Sequence, residues 1–317
     1  MITIPNIRAK ANQIVVLGNH EAIIQSMLDF DYLSGKQEGS VVAIITGRRG
    51  FAKYFFGRQE ILIPTLASID HYPFTIDHSN YWFLNLLSGR RTLSSVQEAL
   101  KGEFSGGVIF AEGVPELHSL NLIHQPSIID HRPLIVGPAS VGLIVPKVLK
   151  LGPIGGITPA QFSEGQLGES GSVAVISGSG GMTNELINVA IQAGHRLSFA
   201  LSYGGDRFPV LSPRDAFLLA QGDPKTKTVL YYGELGGEDE YELVKLKQEG
   251  KFTKHVVAHI AGTVASLFPE SPQFGHAKAK ADKERTTALA KRSALKSAGF
   301  QVSNSFAEFI KLVNKLK

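Results

Sequence analysis

An α/β fold built as two doubly wound domains is predicted on three observations. Short β-branched runs alternate with helix-period segments almost throughout the 317 residues, a pattern that places parallel strands centrally and helices on both faces. The alternation breaks once, between Pro146 and Gly171, where Gly152-Pro153, Gly155-Gly156 and Pro159 outnumber periodic apolar positions. The length leaves each half near the size of an ordinary domain with its own core. Residues 1–145 and 171–317 are therefore expected as domains, with 146–170 as the linker.

In chain order, Ile14–Leu17 (Ile-Val-Val-Leu) and Val41–Ile45 (Val-Val-Ala-Ile-Ile) read as strands, with a helix expected over Glu21–Leu33 between them. Trp82–Leu86, Gly107–Phe110 and Leu134–Val136 continue the strands, and Ser94–Lys101 and Pro115–His124 are the helices that separate them. After the break come strand Val173–Ile176, helix Met182–Ala193, strand Ser198–Leu201, helix Pro213–Gln221, strand Thr228–Tyr231, helix Asp239–Gln248 and strand Val256–Ile260. A long helix from about Ala279 to Ser297, a short strand at Phe300–Val302 and a closing helix at Ser305–Leu316 complete the prediction. No fixed-period repeat or low-complexity tract interrupts it.

Composition narrows the function. With 43% hydrophobic and 19% charged residues and no apolar run long enough to cross a bilayer, the chain reads as a soluble protein. The start, Met1-Ile2-Thr3-Ile4-Pro5, lacks a secretory design, so a cytoplasmic location is expected. Zero cysteines exclude disulfides, thiolate metal sites and cysteine nucleophiles, and the ten histidines are scattered along the chain, so no metal site is expected. Covalent chemistry then falls to His, Ser, Thr, Lys or a carboxylate. The net charge of +4 comes from local clusters such as Arg48-Arg49 and Arg90-Arg91 without interleaved aromatics. A small polyanion explains that charge as well as nucleic acid does, and no nucleic-acid partner is expected.

The motifs sit where strands end. Ser177-Gly178-Ser179-Gly180-Gly181 closes one strand and opens a helix whose Met182, Leu186, Val189 and Ala190 share one face. Backbone amides at such a junction, with the positive end of the helix dipole, suit an anion. The same glycines also fit a plain strand-to-helix turn. Gly204-Gly205-Asp206 and Gly233-Glu234-Leu235-Gly236-Gly237 follow the next two strands, and His276, in Phe274-Gly275-His276-Ala277, follows the fourth. Topology alone brings these four loops to one edge of the sheet. There Glu234 reads either as a solvated loop acid or as a carboxylate that accepts a hydrogen bond from the imidazole of His276, itself otherwise a surface or structural histidine; the pairing would fix the tautomer and leave the other nitrogen to attack phosphorus. In the first half, Gly18-Asn19-His20-Glu21 follows the first strand without the three spaced glycines of a dinucleotide fingerprint. That loop still offers amides to a phosphate, and Arg48, Arg49, Lys53 and Arg58 are placed either to meet further phosphates or to form a solvated rim.

Together these pieces resemble the α-type subunit of the nucleotide-forming acyl-CoA synthetases, the superfamily of succinyl-CoA synthetase and ATP-citrate lyase. The matching segments run through nearly the whole chain: Glu60-Ile61-Leu62-Ile63-Pro64, Ala111-Glu112-Gly113-Val114-Pro115-Glu116, Gly137-Pro138-Ala139-Ser140-Val141-Gly142, Gly180-Gly181-Met182-Thr183-Asn184-Glu185-Leu186, Tyr203-Gly204-Gly205-Asp206-Arg207-Phe208-Pro209 and Gln273-Phe274-Gly275-His276-Ala277. They are nearer the ATP-citrate lyase and citryl-CoA synthetase branch than the succinate branch, which has Gly-Thr-Leu-Thr in place of Gly180-Gly181-Met182-Thr183.

The resemblance implies a Rossmann-like, coenzyme A-binding domain followed by a flavodoxin-like CoA-ligase domain. It implies that His276 is phosphorylated and oriented by Glu234, that Ser179, Gly180 and Gly181 bind the phosphoryl group and substrate carboxylate, and that Gly18, Asn19, His20 and Glu21 lie by the CoA phosphates with Pro138, Ala139 and Ser140 near its thiol end. ATP and magnesium would come through an ATP-grasp β-type partner in a hetero-oligomer, with citrate as the acid. Two departures stand out: Gly178 where the family usually has arginine, and Lys278 where it usually has glycine. They leave open a catalytically silent CoA-binding regulatory subunit, as the choice of acid leaves open a dicarboxylate such as succinate.

Overall fold

In a computed structural model that describes residues 1–73, 80–102, 104–125, 132–276 and 279–316, these residues form two seven-stranded sheets. The first half runs α1 (Ile4–Ala9), β1 (Asn12–Leu17), α2 (Glu21–Leu33), β2 (Val41–Ile45), β3 (Gly50–Phe56), β4 (Gln59–Leu66), β5 (Asn80–Asn85), α3 (Gly89–Ala99), β6 (Phe104–Ile109), α4 (Glu116–Ile123) and β7 (Leu134–Val136). Its strands lie in the order β3-β4-β2-β1-β5-β6-β7, parallel except for β3. Without β3 this is the 3-2-1-4-5-6 order of a doubly wound nucleotide-binding sheet, with its switch point between β1 and β5.

The second half contains β8 (Leu143–Val145), β9 (Leu149–Leu151), α5 (Pro159–Glu164), β10 (Val173–Ser177), α6 (Gly180–Gln192), β11 (Leu197–Ser202), α7 (Pro213–Gly222), β12 (Thr228–Glu234), α8 (Asp239–Gln248), β13 (His255–Ala261), α9 (Ala288–Ser297), β14 (Gln301–Ser303) and α10 (Phe306–Val313). The order is β14-β13-β12-β10-β11-β8-β9. Its five parallel strands reproduce the flavodoxin-like 2-1-3-4-5 order, with the switch point between β10 and β12.

Three stretches differ from the sequence reading. The Gly/Pro-rich span 146–170 carries β9 and α5, and β8 and β9 form a hairpin that pairs antiparallel with β11. Leu143, Ile144, Val145, Leu149 and Leu151 are all buried there, and a Thr158–Gln161 capping box with Pro159 starts α5. The glycines and prolines thus punctuate short packed elements. Second, the helix expected from Ala279 begins only at Ala288, where Thr287 accepts from the Ala290 amide as N-cap. The residues before it turn back to the strand-end loops, with the Gly236 amide bonded to the Thr286 carbonyl. Third, β3 and β4 form a hairpin around Gly57-Arg58, so Lys53 lies on an edge strand paired with Glu60 at 3.3 Å.

The two halves share packing. One buried cluster runs from Ile4 and Ile7 of α1 through Trp82 and Val136 to Leu143, Phe217 and Tyr231. Arg8 adds hydrogen bonds to Asp223 (3.1 Å) and the Ser198 carbonyl (2.8 Å), fixing α1 to the second half.

Candidate active site

Because β11, β10, β12 and β13 are mutually parallel, the loops that follow them emerge on one edge. The switch point between β10 and β12 opens a crevice there. Glu234 is the last residue of β12, in register with Ala261 of β13. Its Oε1 lies 2.7 Å from His276 Nδ1, both side chains being partly exposed. A carboxylate accepting the Nδ1 proton makes Nε2 the nucleophilic nitrogen of the neutral ring. The ring packs flush on the β11 loop: a Cβ at Gly205 would stand 2.4 Å from His276 Cδ2 and 2.8 Å from Nε2.

Glu234 also lines a small polar cavity of about 10 Å³ with Ser177, Gly178, Ser179, Tyr203 and Tyr232. The helix start and the orienting carboxylate are thereby brought together. Ser179 caps α6 by accepting from the Met182 amide, and its own amide donates to Ser177 Oγ at 3.0 Å. At Gly181 a Cβ would meet nothing within 4 Å, so the first turn is open there, whereas at Gly180 it would stand 2.5 Å from Val141 Cγ1. The Gly178 carbonyl accepts from Ser202 Oγ at 3.3 Å. Lys278 lies outside the described residues. Burial, then the Glu234 charge, push the Tyr232 phenol up to about 12, so it remains a neutral hydroxyl beside the carboxylate.

The segment predicted to lie near the thiol end borders this site. Gly137–Pro138 is a cis peptide, the Ala139 carbonyl accepts from the Gly205 amide at 3.1 Å, and Ser140 is buried with its hydroxyl donating to the Ser202 carbonyl. Ala139 is therefore one hydrogen bond from the glycine under the histidine, while the Ser140 hydroxyl holds backbone. Asp206 accepts from the Gly113 and Val114 amides at 3.4 and 3.2 Å, joining the two halves beside the site. Desolvation raises its pKa, with the two amides and the nearby His276 pulling the other way.

A larger hollow of about 480 Å³ opens next to the β11 and β12 loops. It presents Arg207, Lys280 and Lys283 together with Glu238, Asp239 and Asp282.

In the first half, a cavity of about 380 Å³ sits at the β1/β5 switch point, lined by Gly18, Asn19, Gly47, Ser68, Arg91 and Ser95 among others. Gly18 has φ +92°, and a Cβ there would press on Leu87 Cδ2 at 3.1 Å. The polar rim, one arginine and the adjacent start of α2 suit a phosphate-bearing ligand such as coenzyme A. Asn19 Oδ1 accepts from the Tyr54 hydroxyl at 3.1 Å; His20 occupies the N-cap position of α2 without a side-chain cap bond, and Glu21 is its first residue. Arg48, Arg49 and Arg58 are absent from the cavity lining, and Arg91 is present.

Sequence reasoning did not find Glu240 and Lys291, which are 1% exposed and lie 2.7 Å apart behind the Glu234 loop. Lysine and glutamate ordinarily mark a solvated face, so residue type alone carried no signal for them.

A CoA-ligase family pattern matches residues 176–300, the stretch that supplies the four loops. The ATP-citrate synthase β chain protein 1 of Arabidopsis thaliana is 41% identical over 285 residues, covering 89% of this chain and 46% of the plant protein. Human ATP-citrate synthase is 35% identical over 306 residues, 95% of this chain and 27% of the human protein. The solved ATP citrate lyase of Methanothrix soehngenii, in complex with citrate and coenzyme A, superposes with a TM-score of 0.91 at 33% identity over 98% of this chain and 50% of that one. The chain thus spans half or less of the length of these relatives. The CoA-ligase pattern, the similar sequences and the superposed fold agree: the chain belongs to the succinyl-CoA synthetase and ATP-citrate lyase superfamily.

Proposed function

We propose that this chain forms citryl-CoA from citrate and coenzyme A through a phosphoryl group carried on His276 Nε2. The observation that carries the reading is the 2.7 Å contact of His276 Nδ1 with Glu234, made beside a capped helix start that is open at Gly181. Glu234 holds the Nδ1 proton, so the Nε2 lone pair attacks the terminal phosphorus of a nucleotide and the nucleoside diphosphate leaves. The first-turn amides of α6 and its dipole stabilise the phosphorylated ring. A citrate carboxylate oxygen then displaces the imidazole from phosphorus, giving an acyl phosphate. Coenzyme A supplies the thiol that becomes the thioester, with inorganic phosphate leaving. Residues of the β1/β5 cavity, Gly18 to Glu21 with Arg91, hold the phosphates of CoA, and Pro138 to Ser140 lie toward its thiol.

The nucleotide and its magnesium come from an ATP-grasp partner chain in a cytoplasmic hetero-oligomer. Relatives whose structures hold citrate with CoA, or citryl-CoA, support an acid with several carboxylates; the adjoining hollow offers Arg207, Lys280 and Lys283 to carboxylates but balances them with Glu238, Asp239 and Asp282. In the presence of its co-purified partner, ATP and magnesium, the protein should acquire one acid-labile phosphate, absent in His276→Ala. A panel of acids in a CoA-dependent assay should favour citrate over succinate. Persistence of the label in His276→Ala would sink the relay.

Gly178, standing where the family resemblance leads one to expect arginine, favours a second reading, a catalytically silent CoA-binding regulatory subunit. That reading prevails if the native protein stays unphosphorylated while Gly178→Arg combined with Lys278→Gly gains the label.

A further inference from the structure

We infer that Lys291, paired with Glu240, is a positioning residue that sets the His276 tautomer through the backbone of Glu234. The inference rests on the phosphohistidine reading of the site, though its test does not require turnover.

Lys291 projects from the first turn of α9 into the protein and is 1% exposed. An ammonium has three protons, and three oxygens surround this one. Nζ lies 2.7 Å from the Glu234 carbonyl oxygen and makes a short contact to the Gly236 carbonyl. The third oxygen is Glu240 Oε2, at 2.7 Å. The first carbonyl belongs to the last residue of β12 and the second to the loop just past it, where the sheet ladder stops. The lysine therefore holds the Glu234–Leu235 and Gly236–Gly237 peptide groups and leaves the Glu234 side chain to project into the crevice.

Glu240 is anchored in turn. Its Oε1 accepts from the Tyr231 hydroxyl at 3.2 Å, the Tyr231 and Tyr203 hydroxyls are 3.3 Å apart, and Tyr203 donates to Asp239 at 2.9 Å. A Cβ at Gly233 would stand 2.0 Å from Glu240 Oε1, so the carboxylate lies directly under the strand end. Removing two charges from water is costly, and a buried ion pair is weak support for stability alone. What this pair does supply is a fixed direction for two carbonyls next to the carboxylate that grips His276.

The network reaches the histidine through the Glu234 peptide. A tilt of the Glu234 peptide would move its carboxylate off Nδ1, and an imidazole without that acceptor populates both neutral tautomers. Phosphoryl transfer at Nε2 would slow because fewer rings present the correct lone pair, with substrate binding little changed.

The test uses the intact chain with uniformly ¹⁵N-labelled histidine and long-range proton–nitrogen spectra near pH 8. Native His276 should show a protonated Nδ1 and unprotonated Nε2. Lys291→Met should give an averaged tautomer, and the isosteric Glu240→Gln should shift it in the same direction if Lys291→Met fails to fold. His259, buried in the same sheet with Nδ1 on Ser303 Oγ at 2.9 Å, is the internal control, because general loosening would alter both rings. With the co-purified partner and ATP, the Lys291→Met protein should lose about tenfold or more in phosphorylation rate with KM for ATP within about twofold, within the range expected for proton management at a catalytic group. An unchanged His276 tautomer in the variants, or equal disturbance of His259, overturns the positioning role. Failure of the phosphohistidine reading would look different: native protein that is never phosphorylated, whatever its tautomer.

Discussion

His276 and Glu234 form a pair in which neither residue type is informative alone, since a histidine and a loop glutamate are both commonplace on protein surfaces. The glutamate's place at the sheet edge was legible, because a strand followed by Gly233-Glu234-Leu235-Gly236-Gly237 predicts a tight loop there; the structure extends that strand from the expected end at Tyr231 to Glu234 itself. The histidine's loop was legible only as one of four that must converge. Glu234→Gln should keep the shape but lose the charged acceptor, and the phosphorylation rate should fall by about 10²-fold or more. A pulse-label assay with the co-purified partner checks this, and a rate within twofold of native would mean that the carboxylate does not orient the ring. Gly205 makes a steric counterpart. An alanine methyl would press on the imidazole at 2.4 Å, and because the Gly205 amide is held by the Ala139 carbonyl the ring is the group that moves. Gly205→Ala should therefore depress phosphorylation at least tenfold while Tm, read by calorimetry, changes little. Loss of folding instead would show that the loop, and not the ring, absorbs the clash.

Elements whose signal is local periodicity were read well. The α2 boundaries Glu21–Leu33 and the β2 boundaries Val41–Ile45 coincide with those of the structure, since uninterrupted apolar patterns sit between clear turns. Elements whose signal is tertiary were not. The three-residue strands β8 and β9 lie in a Gly/Pro-rich stretch, and only pairing with β11 makes them strands. The α9 start at Ala288 is set by the Thr287 cap and by residues before it being drawn toward Gly236, a contact some fifty residues distant that no window along the chain can contain. The β13–α10 packing yields a pH prediction. His259 of β13 sits against Phe306 and Phe309 of α10. Burial, helped by the Arg292 charge, lowers its pKa to about 4 from 6.5. The folded state holds the ring neutral while the unfolded chain takes up a proton below about pH 6.5. Stability should therefore fall as pH drops from about 6.5 toward 4. His259→Phe should flatten that slope in urea midpoints measured at pH 7.5 and 4.5. An unchanged slope would place the acid sensitivity elsewhere.

At the scale of the whole molecule, the two sheets behave as partners because contacts join them at both ends of the structure. Far from the histidine, α1 buries Ile4 and Ile7 in a cluster that also contains Phe217 and Tyr231, and Arg8 reaches Asp223. Beside the histidine, Asp206 spans from the β11 loop to the amides of Gly113 and Val114, just before α4. Two charge-assisted bonds at the start of a helix are favoured by its dipole as well as by hydrogen bonding. Breaking them should cost about 1–3 kcal/mol and should let the Gly113–Val114 loop of the first half part from the loop under His276. The shared cluster at the far end is untouched by that change, so the halves should hinge open and still unfold together. Asp206→Ala is therefore expected to keep one calorimetric transition at a Tm lower by about 2 °C or more for each kcal/mol lost, with thioester formation impaired more than phosphorylation of His276, because on the proposed reading CoA is held by the first half and the phosphohistidine by the second. Two separated endotherms in Asp206→Ala would show that the acid bridge, rather than the common core, is what makes the halves cooperative.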